Sequence, residues 1–251
     1  MDTKAKILLV FDMDYTILQE VADLEVIKLL PPVKIEESRR NWANYMQMVY
    51  IMMNSHNIKI EQIKNVVENI PLNEGFPEIF EFIRQNKEKF ETLIVSGANT
   101  LYIQWLIQFR KLEEVIDGYF SNYAEPSEEM LIKIRPNHEH ACVLCRRHLS
   151  QCKKKILEEY ITLKRSNNKD FEYSSIVYVG DGENDFCPST ILGVNDLLFP
   201  REEFELHHMI TRGKHEKLSC KIHPWKSGNK VLEIIKKKFF FNEQSNGEEI
   251  N

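Results

Sequence analysis

The sequence predicts an α/β protein built on a mostly parallel sheet, with a helical segment inserted after the first strand. Three observations carry this. Short apolar runs rich in branched residues recur at positions 7–10, 92–95 and 175–179, and such runs suit parallel strands buried on both faces. Stretches with apolar residues at helical spacing lie between them, and strands alternating with helices give a sheet covered on both sides. Residues 19–72 break the alternation, with helical stripes and no strand signal.

Taken in order, Ile7, Leu8, Leu9 and Val10 form the first strand. Ala22, Val26, Leu29 and Leu30 recur at helical spacing up to Pro31 and Pro32, which stop the helix. Trp42, Tyr45, Met46, Val49 and Met53 make a second stripe, and Ile60, Ile63, Val67 and Ile70 a third that ends at Pro71. These stripes read as bundle core. Met46, Met48, Met52 and Met53 suit a surface that repacks or moves.

From Gly75 the alternation is regular. Phe76, Ile79, Phe80 and Ile83 mark a helix, and the strand at 92–95 ends in Ser96-Gly97. A helix with Leu101, Trp105 and Leu106 follows, with Asn99 as its cap, and then a strand at 118–121. Residues 130–134 alternate loosely, as an exposed or edge strand does. A His/Cys-rich loop spans 138–152, and Ile156, Leu157, Tyr160 and Ile161 mark the next helix. Strands at 175–179 and 197–199 and a helix at about 227–239 complete a Rossmann-like, mostly parallel sheet covered by helices on both faces. The polar tail from 241 to 251 is expected to be disordered.

With 251 residues, 43% hydrophobic and 28% charged, the chain is long enough for a sizeable core and reads as an ordinary globular protein. A net charge of -5 argues against nucleic acid or an anionic membrane as the main partner. Five cysteines, an odd number in a chain too long to need staples, favour a reducing interior. Lys4 and Lys6 precede an apolar run that Asp12 breaks, too short for a signal peptide or a membrane span. A cytoplasmic location is therefore expected.

The chemistry concentrates at strand ends. Asp12 and Asp14 directly follow the first strand, where open α/β sheets bind ligands. Two carboxylates so placed can divide labour, one as nucleophile and the other as proton donor and acceptor. Thr16 adds a hydroxyl beside them. Ser96, Lys153, Asp181 and Asp185 join them at the same sheet edge. Each has a plain alternative: an Asp-rich turn, a turn serine, a solvated Lys153-Lys154-Lys155 helix face, a tight Gly-Asp-Gly turn. Together they match a phosphoryl-transfer site, which needs a nucleophile, a hard cation and donors around the phosphoryl oxygens.

These motifs resemble those of the haloacid dehalogenase-like phosphatases: Asp12-Met13-Asp14-Tyr15-Thr16, strand-final Ser96, Lys153, and the run from Gly180 to Asp185. Within that superfamily the chain is similar to the phosphoethanolamine/phosphocholine phosphatases and their pyridoxal phosphate phosphatase relatives. The stretches that carry this are Ile70-Pro71-Leu72, His138-x-His140-x-Cys142-x-x-Cys145, Cys152-Lys153, the run from Val179 to Pro188, and Phe199-Pro200-Arg201. The resemblance implies that Asp12 attacks phosphorus and that Asp14 protonates the leaving oxygen and then activates water. It implies Mg²⁺ held by Asp12, the carbonyl of Asp14 and Asp181, with Asp185 supporting the metal site. Ser96 would bind the phosphoryl group, and Lys153 would offset its charge. It divides the chain into a core of 1–18 and 73–240 and a helical cap of 19–72, and it makes the partner a small-molecule phosphate ester.

One position departs from the pattern. The family usually carries Asp where this chain has Gly97, and that carboxylate and Asp23 are associated with the substrate's amine. Both Asp23 and Gly97 are thus candidate substrate-binding positions, and selectivity for a cationic head group is expected to be reduced. A phosphomutase-type phosphotransferase and an inactive phosphatase fold that only binds are the alternatives. The loop with His138, His140, Cys142, Cys145 and Cys152 suits a structural Zn²⁺, a reduced buried Cys cluster, or a redox-labile pair.

Overall fold

Every residue of strand β1 (Ile7–Phe11) is buried, because the strand runs through the middle of the sheet with helices on both sides. The computed structural model describes residues 6–32, 41–138, 142–145, 150–169 and 171–240. The other strands are β2 (Phe90–Asn99), β3 (Gly118–Ser127), β4 (Leu131–Arg135), β5 (Ser175–Gly180), β6 (Leu197–Pro200) and β7 (Lys221–Ile222). They form a seven-stranded sheet in the order β4-β3-β2-β1-β5-β6-β7, parallel except for the β3–β4 hairpin. The helices are α1 (Ala22–Ile27), α2 (Trp42–Ser55), α3 (Ile60–Asn69), α4 (Phe76–Gln85), α5 (Thr100–Arg110), α6 (Lys153–Asn167), α7 (Glu183–Ser189), α8 (Glu205–Thr211) and α9 (Gly228–Phe239).

Alternate side chains of β1 enter different cores, as a period of two requires. Ile7, Leu9 and Phe11 pack with Ile79 and Phe80 of α4, Ile103 of α5 and Val231 of α9. Leu8 and Val10 pack with Leu157 of α6, Phe186 of α7 and Leu206 of α8. Truncating a fully buried Leu8 or Leu9 to Ala would cost about 2–5 kcal/mol.

The inserted segment leaves the core at Leu18 and returns at Leu72, and an antiparallel bridge between these two residues closes its neck. Helix α2 then lies on the outer strand of the sheet. The Gln47 side chain donates to the Ile132 carbonyl at 3.0 Å and accepts from the Ile134 amide at 2.9 Å. Asn54 donates to the carbonyls of Glu128 and Glu129 in the hairpin turn. Inside, the Tyr50 hydroxyl of α2 donates to Tyr102 of α5 and accepts from Asn99, joining insertion to core through buried polar groups.

Several elements differ from the sequence reading. Helix α1 stops at Ile27, and Leu29 and Leu30 continue as a turn, with Leu30 still buried. β2 runs from Phe90 and carries Ser96 and Gly97 inside its irregular carboxyl end. β3 continues past Ser121 to Ser127, because β4 folds back and pairs with its polar second half. Helices α7 and α8 and strand β7 are too short to show a clear period. The tail 241–251 and His140 lie outside the described residues.

Candidate active site

Parallel register places the site. Phe11 lies opposite Ile94 on one side and Val179 on the other. Asp12, Ser96 and Asp181 therefore leave neighbouring strands within two residues of the same level. The Asp12 amide donates to Val179 at 3.0 Å, which carries the β1–β5 ladder one step into the site.

After Asp12 the chain makes a wide turn over Met13–Ile17, closed by the Leu18 amide on the Met13 carbonyl. Tyr15 holds φ at 52° there, in the left-handed region that a non-glycine residue occupies only when held. The restraint comes from outside the turn. Asn73 donates to the carbonyls of Thr16 and Leu18, each at 2.8 Å, and Arg201 donates to the Tyr15 carbonyl and to Asn73.

Lys153 opens α6 but is 2% exposed, unlike the solvated face that its lysine run suggests. Its ammonium lies 2.8 Å from Asp12 Oδ1 and 2.7 Å from Asp185 Oδ1. Burial pulls the ammonium down, and the two carboxylates more than offset this, holding it above its ordinary range. Asp12 is pushed up to about 6, by burial first, against the pull of Lys153. Asp181 is raised well above its usual value by burial and by Asp12 and Asp185. Thr16 donates to Asp181 at 3.3 Å.

Asp185 is surrounded by donors. Oδ1 accepts from Lys153 and, at 2.6 Å, from Tyr178, while Oδ2 accepts from the amides of Asp181 and Gly182. Four donors hold this carboxylate, fixing Lys153 from one side and the backbone after β5 from the other. The close approach requires glycine at 180, where a Cβ would sit 2.5 Å from the Asp185 carboxyl carbon.

Asp14 accepts from the Ala22 amide at 2.9 Å. Burial raises its carboxyl well above the ordinary range, the Ala22 bond opposes this, and Asp23 and Asp12 add to it. That suits a group that must carry a proton near neutral pH. Ser96 is fully buried, and its carbonyl accepts from Ser121 and, at 2.5 Å, from Gln151. Asp23 is 1% exposed. Its Oδ2 accepts from the Trp42 indole at 2.5 Å, its buried Oδ1 has no partner among the described residues, and burial lifts it to about 6. At Gly97 a Cβ would meet Asn184 at 3.6 Å, an ordinary contact.

The sequence reading did not find Tyr178, Asn73, Gln151 or the work of Arg201. Arg201 lay within a stretch that carried the resemblance, but the others gave no local signal because their partners are far along the chain.

A family model described as "Putative Phosphatase" matches residues 7–239. The chain belongs to this phosphatase family. It is a haloacid dehalogenase-like phosphatase, a phosphomonoesterase by kinship. It is 33% identical over 235 residues to the rat pyridoxal phosphate phosphatase PHOSPHO2, covering 90% of this chain and 96% of that one. It is 34% identical over 246 residues to the chicken phosphoethanolamine/phosphocholine phosphatase, covering 93% of this chain and 90% of that one. Among solved structures, a phospho-aspartyl intermediate analogue of phosphoserine phosphatase superposes with a TM-score of 0.57 at 18% identity, over 92% of this chain and 99% of that one. That likeness establishes the shared fold. Among the described residues of the phosphatase, no helix is long and apolar enough to cross a membrane.

The phosphatase also has a donor set that fits a divalent metal. Asp12, Asp181 and Asp185 bring carboxylate oxygens within 4.8 Å of one another, all buried, with Lys153 as the balancing charge. Hard oxygen donors at a buried excess of negative charge suit a hard cation.

Proposed function

We propose that the protein is a Mg²⁺-dependent phosphatase that hydrolyses a small phosphomonoester through an aspartyl-phosphate on Asp12. The observation that carries this is the Lys153 bridge between Asp12 and Asp185, with Asp181 alongside, at the carboxyl end of β1. Asp12 and Asp181, with the carbonyl of Asp14, would hold the ion, and Asp185 would orient Lys153 from behind. Bound Mg²⁺ would draw charge from the phosphoryl oxygens and lower their repulsion with Asp12.

The Asp12 carboxylate attacks phosphorus, the P–O bond to the leaving group breaks, and Asp14 gives its proton to the departing oxygen. Asp14, now ionised, takes a proton from water as that water attacks the aspartyl-phosphate. Inorganic phosphate leaves, and Asp12 is restored. Ser96 and Lys153 hold the phosphoryl group through both steps. The segment 19–72 acts as a cap, and its buried contacts with α5 and the hairpin support a role in excluding water.

The substrate we favour is of the phosphoethanolamine/phosphocholine or pyridoxal phosphate type, as the names of the relatives suggest. The unpaired Asp23 oxygen supports a cationic group on the ester. The absence of disulfides among the five cysteines supports the reducing cytosol as the place of action.

The test is phosphate release from phosphoethanolamine, phosphocholine, pyridoxal phosphate, nucleotides and pyrophosphate with Mg²⁺. Turnover is expected on a small monoester, with loss in Asp12→Asn and in excess chelator. Full activity in either case would overturn the mechanism.

A further inference from the structure

We propose that Cys142, Cys145, Cys152 and Cys187 form a tetrathiolate zinc centre, separate from the carboxylate site. The four sulfurs all lie within 4.8 Å of one another. Cys142 and Cys187 are 3.4 Å apart, Cys145 and Cys152 3.6 Å, and Cys152 and Cys187 3.8 Å. Zn–S bonds of about 2.3 Å in a tetrahedron put neighbouring sulfurs about 3.8 Å apart, so the thiols stand at the spacing of a zinc ligand set. They are far beyond the roughly 2.05 Å of a disulfide, and none of the four is in one.

The ligands come from three elements. Cys142 and Cys145 belong to the loop after β4, Cys152 is the residue on which α6 begins, and Cys187 lies inside α7. Cys145, Cys152 and Cys187 are buried, and Cys142 lies at the rim. Soft thiolates in this geometry select zinc or iron.

A histidine from the same loop is the obvious alternative fourth ligand, but His138 is committed elsewhere. Its Nε2 accepts from the Cys152 amide at 2.9 Å, so Nδ1 carries the proton and donates to Asn137 Oδ1 at 2.8 Å. Cys187 takes that place, supplied by a helix 42 positions or more from the CxxC pair.

The placement gives the centre its consequence. Cys152 immediately precedes Lys153, and Cys187 lies two residues after Asp185, so one ion would clamp the backbones that carry the two ends of the buried Lys153–Asp185 pair. The assignment of zinc does not depend on the phosphatase chemistry.

The experiment is elemental analysis of the full chain, purified reduced and without chelator, paired with cobalt substitution. We expect one zinc per chain and, with Co²⁺, the thiolate charge-transfer and visible bands of a tetrahedral sulfur site. Cys142→Ser alters the rim ligand, where folding tolerates change, and is expected to lose most of the zinc and shift the cobalt spectrum. Asp12→Asn should retain a full equivalent, which keeps this result apart from any failure of the phosphatase reading. Uptake of neither metal by the reduced protein, iron in place of zinc, a cobalt spectrum without thiolate character, or full zinc in Cys142→Ser would each overturn the proposal. Should a cysteine variant fail to fold, the cobalt spectrum of the unaltered chain decides.

Discussion

Arg201 and Asn73, 128 positions apart in sequence, meet through a 3.1 Å hydrogen bond beneath the turn that follows Asp12. Both also hold carbonyls of that turn, so the backbone after the candidate nucleophile is braced from two distant segments. Asn73→Ala would leave buried carbonyls and a guanidinium short of partners, at a cost of about 2–4 kcal/mol. Urea unfolding is expected to show that loss, and phosphatase assays a fall in kcat of at least about tenfold as Asp12 loses its fixed position. A variant with unchanged unfolding and turnover would show that the brace is incidental.

Removing the ammonium from the buried trio should be costly for the fold itself. Lys153→Met leaves Asp12 and Asp185 facing each other without compensation, and about 3–5 kcal/mol of stability is expected to disappear. Adding Asp185→Asn removes one of the stranded charges and should restore part of that loss. Chemical denaturation of the single and double variants measures both. Equal stability of Lys153→Met and the parent would contradict the charge balance described for the site.

Asp23 makes stability depend on pH in a defined direction. Its carboxyl is raised from the ordinary 3.8 to about 6, so the folded form holds the proton more tightly than the unfolded chain does. Its contribution is then greatest below about pH 4 and is lost as pH rises through about 6. The shift of roughly two pKa units corresponds to about 3 kcal/mol. Asp23→Asn keeps an acceptor for Trp42 and does not titrate. Thermal melts from pH 4 to 7 should therefore show the variant gaining on the parent as pH rises, and a constant difference would refute the buried, unpaired carboxylate.

Gly97 sets an expectation for selectivity. A carboxylate there would add one charge-assisted contact to a cationic head group, worth roughly 1.5–3 kcal/mol, or about ten- to a hundredfold. The nearest atom to a new Cβ is Asn184 Nδ2 at 3.6 Å, an ordinary contact, so a Cβ at this position displaces nothing. Gly97→Asp is expected to raise kcat/KM for phosphoethanolamine and phosphocholine and leave small neutral esters nearly unchanged. A parent enzyme that already prefers phosphoethanolamine a hundredfold over a neutral ester of similar size would show that selectivity is set elsewhere.

What could be read in the sequence follows the reach of the signals. β1 and β5 are continuous apolar runs, and their ends announce Asp12 and Asp181 because the chemistry sits at the strand terminus. Lys153 could be assigned only by resemblance, since its own triple-lysine context describes a wet helix, and long-range burial overrules that context. The second half of β3 was hidden because its strand character comes from pairing with β4 rather than from its residues. Cys187 escaped the metal reading for a similar reason: ligands from α6 and α7 converge in space from unrelated spacings. Tyr178 and Asn73 serve partners no local pattern contains, Tyr178 by pointing a hydroxyl at Asp185 and Asn73 by clasping a turn 57 residues away.

The amide of Gln47 does on a small scale what a neighbouring strand would do, filling one donor and one acceptor on the outermost rung of the sheet. An end strand with unfilled groups is a template for another chain. Helix α2 thus shields the edge of the sheet from other chains. Were the proposed cap to lift for substrate, that rim would become adhesive, so access and resistance to self-association would pull against each other in a single side chain.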